Sequence, residues 1–116
     1  MDISLSVLLV DDEQRILLSS ETLLRYAGVR KIITIDDSRH VLPLLEREKI
    51  SVIVLDLFMP YVSGKELLSV MSRDYPQIPV IVMTAADEVE TAVECMKAGA
   101  FDYLVKPVDT VSGASV

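Results

Sequence analysis

The feature that most constrains the fold is a series of short aliphatic runs spaced along the chain. The runs are VLLV (7–10), KIITI (31–35), VIVL (52–55), VIVM (80–83) and YLV (103–105). Each run is continuous rather than alternating with polar residues, which is typical of a strand buried on both faces. Five such strands predict a sheet that is covered by other elements on both sides.

Segments with helical periodicity separate these runs, at 12–27, 38–49, 63–74 and 87–98. Strands that alternate with helices predict a parallel sheet, because each helix carries the chain back across the sheet. We therefore predict an α/β fold with a doubly wound, five-stranded parallel sheet. The expected strand order is 2-1-3-4-5, with the switch point between the first and third strands.

Each predicted helix has an apolar stripe that we expect to face the sheet. The stripes are Ile16, Leu23, Leu24 and Ala27 in the first helix, Gly64, Leu67, Leu68 and Met71 in the third, and Val89, Ala92, Val93 and Met96 in the fourth. Cys95 lies off the last stripe and His40 lies early in the second helix, so both are expected at the surface or its boundary.

Pro43 predicts a short, late-starting or kinked second helix. Ser63 and Glu66 form a capping box that starts the third helix.

Polar residues follow the carboxyl ends of four of the predicted strands. Asp11 and Asp12 follow the first strand, Asp56 the third, Thr84 the fourth and Lys106 the fifth. The carboxyl ends of parallel strands lie at one edge of a sheet, and ligands bind there beside the switch point. We therefore expect these side chains to converge on one site.

The residue types at this edge suit phosphoryl transfer. Three close carboxylates repel one another, and a hard divalent cation such as Mg²⁺ relieves that repulsion. Lys106 supplies a positive charge and Thr84 a hydroxyl donor, as the oxygens of a transferring phosphoryl group require. A carboxylate can also be the nucleophile, which would give an aspartyl-phosphate. Taken singly, Asp12 or Asp56 could equally cap a helix or turn.

Composition excludes several other functions. The net charge of -7 disfavours binding to nucleic acid, which requires clustered Lys and Arg. A single cysteine allows no internal disulfide and no zinc cluster. No apolar stretch approaches the roughly 18 residues of a membrane span, and the first residues lack the features of a signal peptide. These observations predict a cytoplasmic protein without membrane contact.

Several motifs together resemble the receiver domain of bacterial two-component response regulators. They are VLLVDDE, VIVLDLFMP followed by SGKELL, IPVIVMTA and AGAFDYLVKPV. The resemblance runs from about residue 5 to residue 108. The stretch TAADEVETAVECMKAGAFDYLVKPVD is most similar to receivers of enhancer-binding transcription activators. We expect a receiver domain at 1–108 and a short tail at 109–116, which is either a truncated last helix or the start of a linker.

This resemblance implies a role for each acidic residue of the expected site. Asp56 would accept a phosphoryl group from the phosphohistidine of a sensor histidine kinase. Asp11 and Asp12 would hold Mg²⁺ together with Asp56 and the backbone carbonyl of Phe58. Such a domain is a signalling switch, not a turnover enzyme, although it takes part chemically in its own phosphorylation and dephosphorylation.

The resemblance also implies how the signal is passed on. Thr84 would bond a phosphoryl oxygen, Lys106 would pair with the phosphoryl group, and the Lys106–Pro107 peptide bond would be cis. Tyr103 would rotate as Thr84 shifts, although it also fits a half-buried strand aromatic. The surface formed by the fourth helix and fifth strand would control a homodimer or an output domain of a longer chain.

Three other functions fit the sequence less well. A haloacid-dehalogenase-like phosphatase places its nucleophile after the first strand with a second acid two residues on, whereas Asp11 and Asp12 are adjacent. A flavodoxin-like carrier needs a hydroxyl- or glycine-rich phosphate loop where this chain has DDEQR. A degenerate, purely structural receiver would not keep all five site residues.

No fifth helix is recognisable at the end of the sequence, which leaves two interpretations open. The chain is either a fragment of a longer regulator, or it covers the exposed apolar face by self-association.

Overall fold

A computed structural model describes residues 3–106 of the chain. Its strands are β1 (Ile3–Val10), β2 (Val29–Ile35), β3 (Val52–Asp56), β4 (Val80–Thr84) and β5 (Asp102–Val105). All pairs of neighbouring strands are parallel, and the order is β2-β1-β3-β4-β5. The predicted α/β class, strand order and switch point between β1 and β3 are thus confirmed.

The helices lie between the strands, as the periodicity predicted. They are α1 (Gln14–Tyr26), α2 (Val41–Arg47), α3 (Gly64–Asp74) and α4 (Val89–Lys97), with 3-10 turns at Ser38–His40 and Ala86–Glu88. The second helix is short and late-starting, so Pro43 falls within its first turn, where a missing amide donor is tolerated. The capping box at α3 also forms, because Ser63 accepts a hydrogen bond from the Glu66 amide at 3.2 Å.

The two faces of the sheet pack against different helices. Leu8, Ile53 and Leu55 are fully buried on the larger side, where residues of α2, α3 and α4 join them in one apolar cluster. On the other side Val7 and Leu9 pack with Leu17, Leu24 and other residues in a smaller cluster to which α1 contributes. Because successive strand residues face opposite sides, continuous aliphatic runs serve both clusters at once.

The apolar stripe of α3 is confirmed, whereas two other stripes were partly wrong. In α1, Ile16 and Leu17 are buried, but Leu23 is 71% exposed and Ala27 is also exposed. In α4, Ala92 and Cys95 are buried whereas Val93 and Met96 lie at the surface, so α4 is rolled relative to the prediction. His40 is exposed, as expected.

Some predictions fall outside the described residues. These are the Lys106–Pro107 peptide bond, the domain boundary at 108 and the tail at 109–116. Within the described part of the chain, no helix is both long enough and apolar enough to cross a membrane.

Candidate functional site

Three carboxylates meet at the carboxyl edge of the sheet, where the sequence placed them. Asp11 follows β1, Asp56 is the last residue of β3, and Asp12 is next to Asp11. One oxygen from each lies within 4.8 Å of the others. Asp11 and Asp56 are 2% and 3% exposed, whereas Asp12 is open to solvent. This group is the only one of its kind, with three or more potential metal ligands, within residues 3–106.

Each buried carboxylate serves both the local backbone and the shared site. Oδ1 of Asp11 accepts the Glu13 amide at 2.9 Å, at the start of α1. Oδ1 of Asp56 accepts the Phe58 amide at 3.3 Å, in the loop that follows β3. The two Oδ2 atoms are the ones that approach Lys106. For Asp56, the turn contact and the site, which the sequence posed as alternatives, are therefore both served by one side chain.

Lys106 brings a positive charge into the carboxylate cluster. Its Nζ lies 3.1 Å from Asp11 Oδ2, 3.3 Å from Asp56 Oδ2 and 3.0 Å from Glu13 Oε1. The Lys106 amide donates to the Thr84 carbonyl at 2.7 Å, which fixes the end of β5 against the end of β4. Only 16% of the lysine side chain is exposed, so the ammonium is directed into the site.

The electrostatics of the site reflect an excess of negative charge. Burial, and next the charge of Asp11, raises the pKa of the Asp56 carboxyl from 3.8 to about 6, against the opposing effect of Lys106. Burial alone would lower the pKa of the Lys106 ammonium, but its contacts with Glu13 and Asp11 raise that pKa above its ordinary value. One ammonium thus only partly neutralises the carboxylates around it.

One buried oxygen at the centre of the site is paired with an ammonium that other carboxylates share. Among the described residues, no hydrogen bond of good geometry reaches Asp11 Oδ2, and the Lys106 ammonium 3.1 Å away also contacts Asp56 and Glu13. A buried carboxylate that is only partly neutralised costs free energy, and a further cation would reduce that cost. Asp11, Asp12 and Asp56 together fit a hard divalent ion such as Mg²⁺, which binds through few protein oxygens and retains water.

The remaining predicted residues surround this cluster at different distances from its chemistry. Thr84 is 1% exposed, and its hydroxyl donates to the carbonyls of Glu88 at 3.0 Å and Ala85 at 3.2 Å rather than to a carboxylate. Tyr103 is half-buried on β5, opposite Val82 of β4. Phe58 is 53% exposed beside the site.

Three residues shape the site although the sequence assigned them no role in it. Glu13 shares the Lys106 ammonium, and its position beside two other acids was a usable signal. Gly64 lies against the end of β3, where an added Cβ would be 2.5 Å from Leu57 Cα. Ser38 is 2% exposed and binds the loop after β3, and nothing local in the sequence indicated that contact.

Comparisons with known proteins agree with the geometry. The profile of the family described as "Response regulator receiver domain" matches residues 7–113. The chain is 41% identical over 104 residues to the response regulator protein FleR of Pseudomonas aeruginosa, covering 89% of the chain and 22% of FleR. It is 37% identical over 101 residues to the DNA-binding transcriptional regulator NtrC of Klebsiella pneumoniae, covering 87% of the chain and 21% of NtrC.

Among solved structures, the receiver domain of the Francisella response regulator 1452 superposes with a TM-score of 0.81 at 31% identity, covering 94% of this chain and 89% of that one. The chain spans about a fifth of the length of FleR and NtrC. The predicted resemblance to receivers of enhancer-binding transcription activators is confirmed by these relatives. The fold of the chain, its acidic site and these matches together show that it belongs to the response regulator receiver domain family.

Proposed function

We propose that this domain is a signalling switch that accepts a phosphoryl group on Asp56 from the phosphohistidine of a sensor histidine kinase. The observation that carries the proposal is the arrangement around Asp56 Oδ2. That oxygen lies 3.3 Å from the Lys106 ammonium. Asp56 also forms a group with Asp11 and Asp12, in which one carboxylate oxygen of each residue lies within 4.8 Å of the others.

The reaction is a displacement at phosphorus. An Asp56 oxygen forms a bond to phosphorus as the bond from phosphorus to the donor's histidine nitrogen breaks, and that nitrogen takes up a proton. Mg²⁺, held by Asp11, Asp12, Asp56 and the carbonyl of Phe58, would neutralise charge on the transferring group. Attack of water on phosphorus later restores the carboxylate and releases inorganic phosphate, which resets the switch.

Two neighbouring side chains would respond to the new charge. The Lys106 ammonium can follow the phosphoryl oxygens, because it already lies 3.3 Å from one of the Asp56 oxygens. The Thr84 hydroxyl would exchange the Glu88 carbonyl for a phosphoryl oxygen, which frees the turn before α4. Rotation of Tyr103 belongs to the same proposal. The phosphoryl group would thereby bias an existing equilibrium between two packings.

The surface formed by α4 and β5 is where a partner would recognise this conformational change. Val93 and Met96 of α4, Leu104 of β5 and Phe101 just before β5 are apolar and between 36% and 68% exposed, and exposed apolar patches mark interaction sites. The relatives are much longer chains that include transcriptional regulators. We therefore propose that a receiver at 1–108, with a tail at 109–116, controls a homodimer or an attached output domain in the cytoplasm, and that it does not itself bind DNA or membranes.

The decisive experiment is phosphorylation by acetyl phosphate with Mg²⁺, followed by mass spectrometry of the intact chain. The wild type is expected to gain one phosphoryl group per chain, and Asp56→Asn none. Asp74→Asn, which removes an exposed aspartate at the end of α3 and away from the cluster, is the matched control and is expected to be modified like the wild type. An unmodified wild type or a fully modified Asp56→Asn chain would refute the proposal. Release of many phosphates per chain from small phosphate esters would instead favour a phosphatase.

A further inference from the structure

The loop between β3 and α3, residues 57–63, carries the Phe58 carbonyl and is secured from outside by the turn after β2. We propose that Ser38 is a positioning residue that holds this loop and thereby sets the affinity of the acidic site for Mg²⁺. The inference rests on the proposed function, because it concerns the same cation. We call Asp37, Ser38 and Arg39 the loop clamp.

The first contact of the loop clamp is a pair of hydrogen bonds made by one buried hydroxyl. Ser38 Oγ donates to the Pro60 carbonyl at 2.7 Å and accepts the Val62 amide at 3.0 Å. Ser38 is 2% exposed and lies more than twenty residues away in sequence. These two backbone groups flank Tyr61, so a single side chain fixes the apex of the loop from both sides.

The second contact holds Tyr61 itself. Arg39 lies over the Tyr61 ring, with Cζ 3.7 Å from the ring centroid. Its guanidinium is held by Asp37 through two hydrogen bonds, of 3.0 Å and 2.7 Å, to the two carboxylate oxygens. Tyr61 has a φ of 72°, a conformation that L-residues with side chains rarely adopt. The loop clamp therefore holds the loop in a conformation that it would not favour alone.

The rest of the loop transmits this position to the site. At one end Asp56 Oδ1 accepts the Phe58 amide at 3.3 Å, and at the other the Gly64 amide donates to the Leu57 carbonyl at 3.0 Å. The loop is thus tied at both ends, and Ser38 binds the stretch between them. Without Ser38 the Pro60 carbonyl and the Val62 amide lose their partners, and the loop can rearrange at the residues next to Phe58.

The test compares Ser38→Ala with a serine variant at the far end of the sheet. Ser51 Oγ accepts the Ser6 amide at 3.0 Å, so Ser51→Ala also removes a partly buried hydrogen bond between a serine and the backbone. Mg²⁺ dissociation constants of the unphosphorylated chains are measured by NMR titration, and amide exchange at residue 62 is measured alongside. Ser38→Ala is expected to weaken Mg²⁺ binding by about fivefold, the equivalent of about one net hydrogen bond, and to speed exchange at residue 62. Ser51→Ala is expected to change neither.

The outcomes separate this inference from the proposed function. A Mg²⁺ dissociation constant within about twofold of wild type for Ser38→Ala, or an equal change in Ser51→Ala, would overturn the role of Ser38. If Ser38→Ala does not fold, Ser38→Cys keeps a side chain of similar size but replaces the hydroxyl with a weakly hydrogen-bonding thiol, and unchanged Mg²⁺ affinity in that variant would overturn the role of Ser38 equally. Weakened Mg²⁺ binding in a protein whose wild type accepts no phosphoryl group would support the loop clamp while refuting the phosphoacceptor function.

Discussion

Replacing Asp56 with asparagine is expected to stabilise the domain in the absence of metal, although it removes the central residue of the site. The pKa of Asp56 rises from 3.8 to about 6 on folding, because of burial and then the charge of Asp11. The folded state therefore binds the proton more tightly than the unfolded chain, and stability falls as the pH rises from about 4 to about 6. A shift of about two pKa units corresponds to about 3 kcal/mol, an upper bound where water and salt screen the charges.

The difference in unfolding free energy between Asp56→Asn and wild type should therefore depend on pH. It is expected to be near zero below about pH 3, where the aspartate is mostly protonated in both states, and to approach its maximum above about pH 7, where it is mostly ionised in both. Urea unfolding in EDTA across this range measures it. Adding Mg²⁺ at a hundred times its dissociation constant should then stabilise the wild type by roughly 3 kcal/mol and the variant by less.

Asp74→Asn is the control for this prediction, because hydrogen bonding to Arg73 lowers the pKa of Asp74. The Asp74 carboxylate stabilises the fold above the pKa of the unfolded chain, and this contribution disappears as the pH falls. Asp74→Asn is therefore expected to lower the free energy of unfolding at neutral pH, whereas Asp56→Asn raises it. Equal stability of wild type and Asp56→Asn at pH 7.5 without metal, or a difference independent of pH, would refute the electrostatic reasoning. The conclusion that the site is built to receive positive charge would then fail with it.

Two further substitutions test the loop after β3. Gly64→Ala is expected to destabilise the domain by about 1–3 kcal/mol in urea unfolding, because the new Cβ would meet the Asp56 carbonyl oxygen and Leu57 Cα. This cost exceeds the better helix propensity of alanine. A gain in stability would show that α3 can shift freely. Tyr61→Gly is expected to be more stable than Tyr61→Ala by about 1 kcal/mol, since both lose the Arg39 contact but only glycine adopts a φ of 72° without strain. Equal stabilities of those two variants would mean that the backbone at this position is unstrained.

The strands and the edge that carries the site were predictable because both follow from local pattern and chain direction. A continuous aliphatic run defines a buried strand, and parallel strands bring their following residues to one edge. That logic needed no contact information to bring Asp11, Asp56 and Lys106 together, and their separations in the structure agree with it. What the pattern could not give was the use of each oxygen, because the backbone partner of a carboxylate depends on the turn that follows.

The helix faces were less predictable because α4 has apolar residues on more than one side. The prediction assigned Val93 and Met96 to the core, whereas Ala92 and Cys95 occupy it. A helical wheel cannot distinguish an apolar face that packs on the sheet from one that is left for a partner. The error is informative for that reason, since the misassigned residues extend the exposed apolar surface of α4 and β5.

Ser38 was unpredictable for a different reason. It lies in a short polar segment where serine usually serves a local turn. Its contacts are with a loop more than twenty residues away, and they exist only once β2 and β3 are separated by β1 in the folded sheet. Contacts of this kind depend on topology, not on local sequence, so they appear only in the three-dimensional structure.

The link from the site to α4 has a magnitude that limits how the switch can work. The Thr84 hydroxyl donates to the Glu88 carbonyl, so its transfer to a phosphoryl group would exchange one hydrogen bond for another. A net hydrogen bond is worth about 1 kcal/mol, which changes a population ratio about fivefold. Reversing an equilibrium from 1:99 to 99:1 requires about 5.5 kcal/mol. In the proposed switch the hydroxyl alone would therefore be insufficient, and most of the bias would have to come from the charge that a phosphoryl group brings beside Lys106.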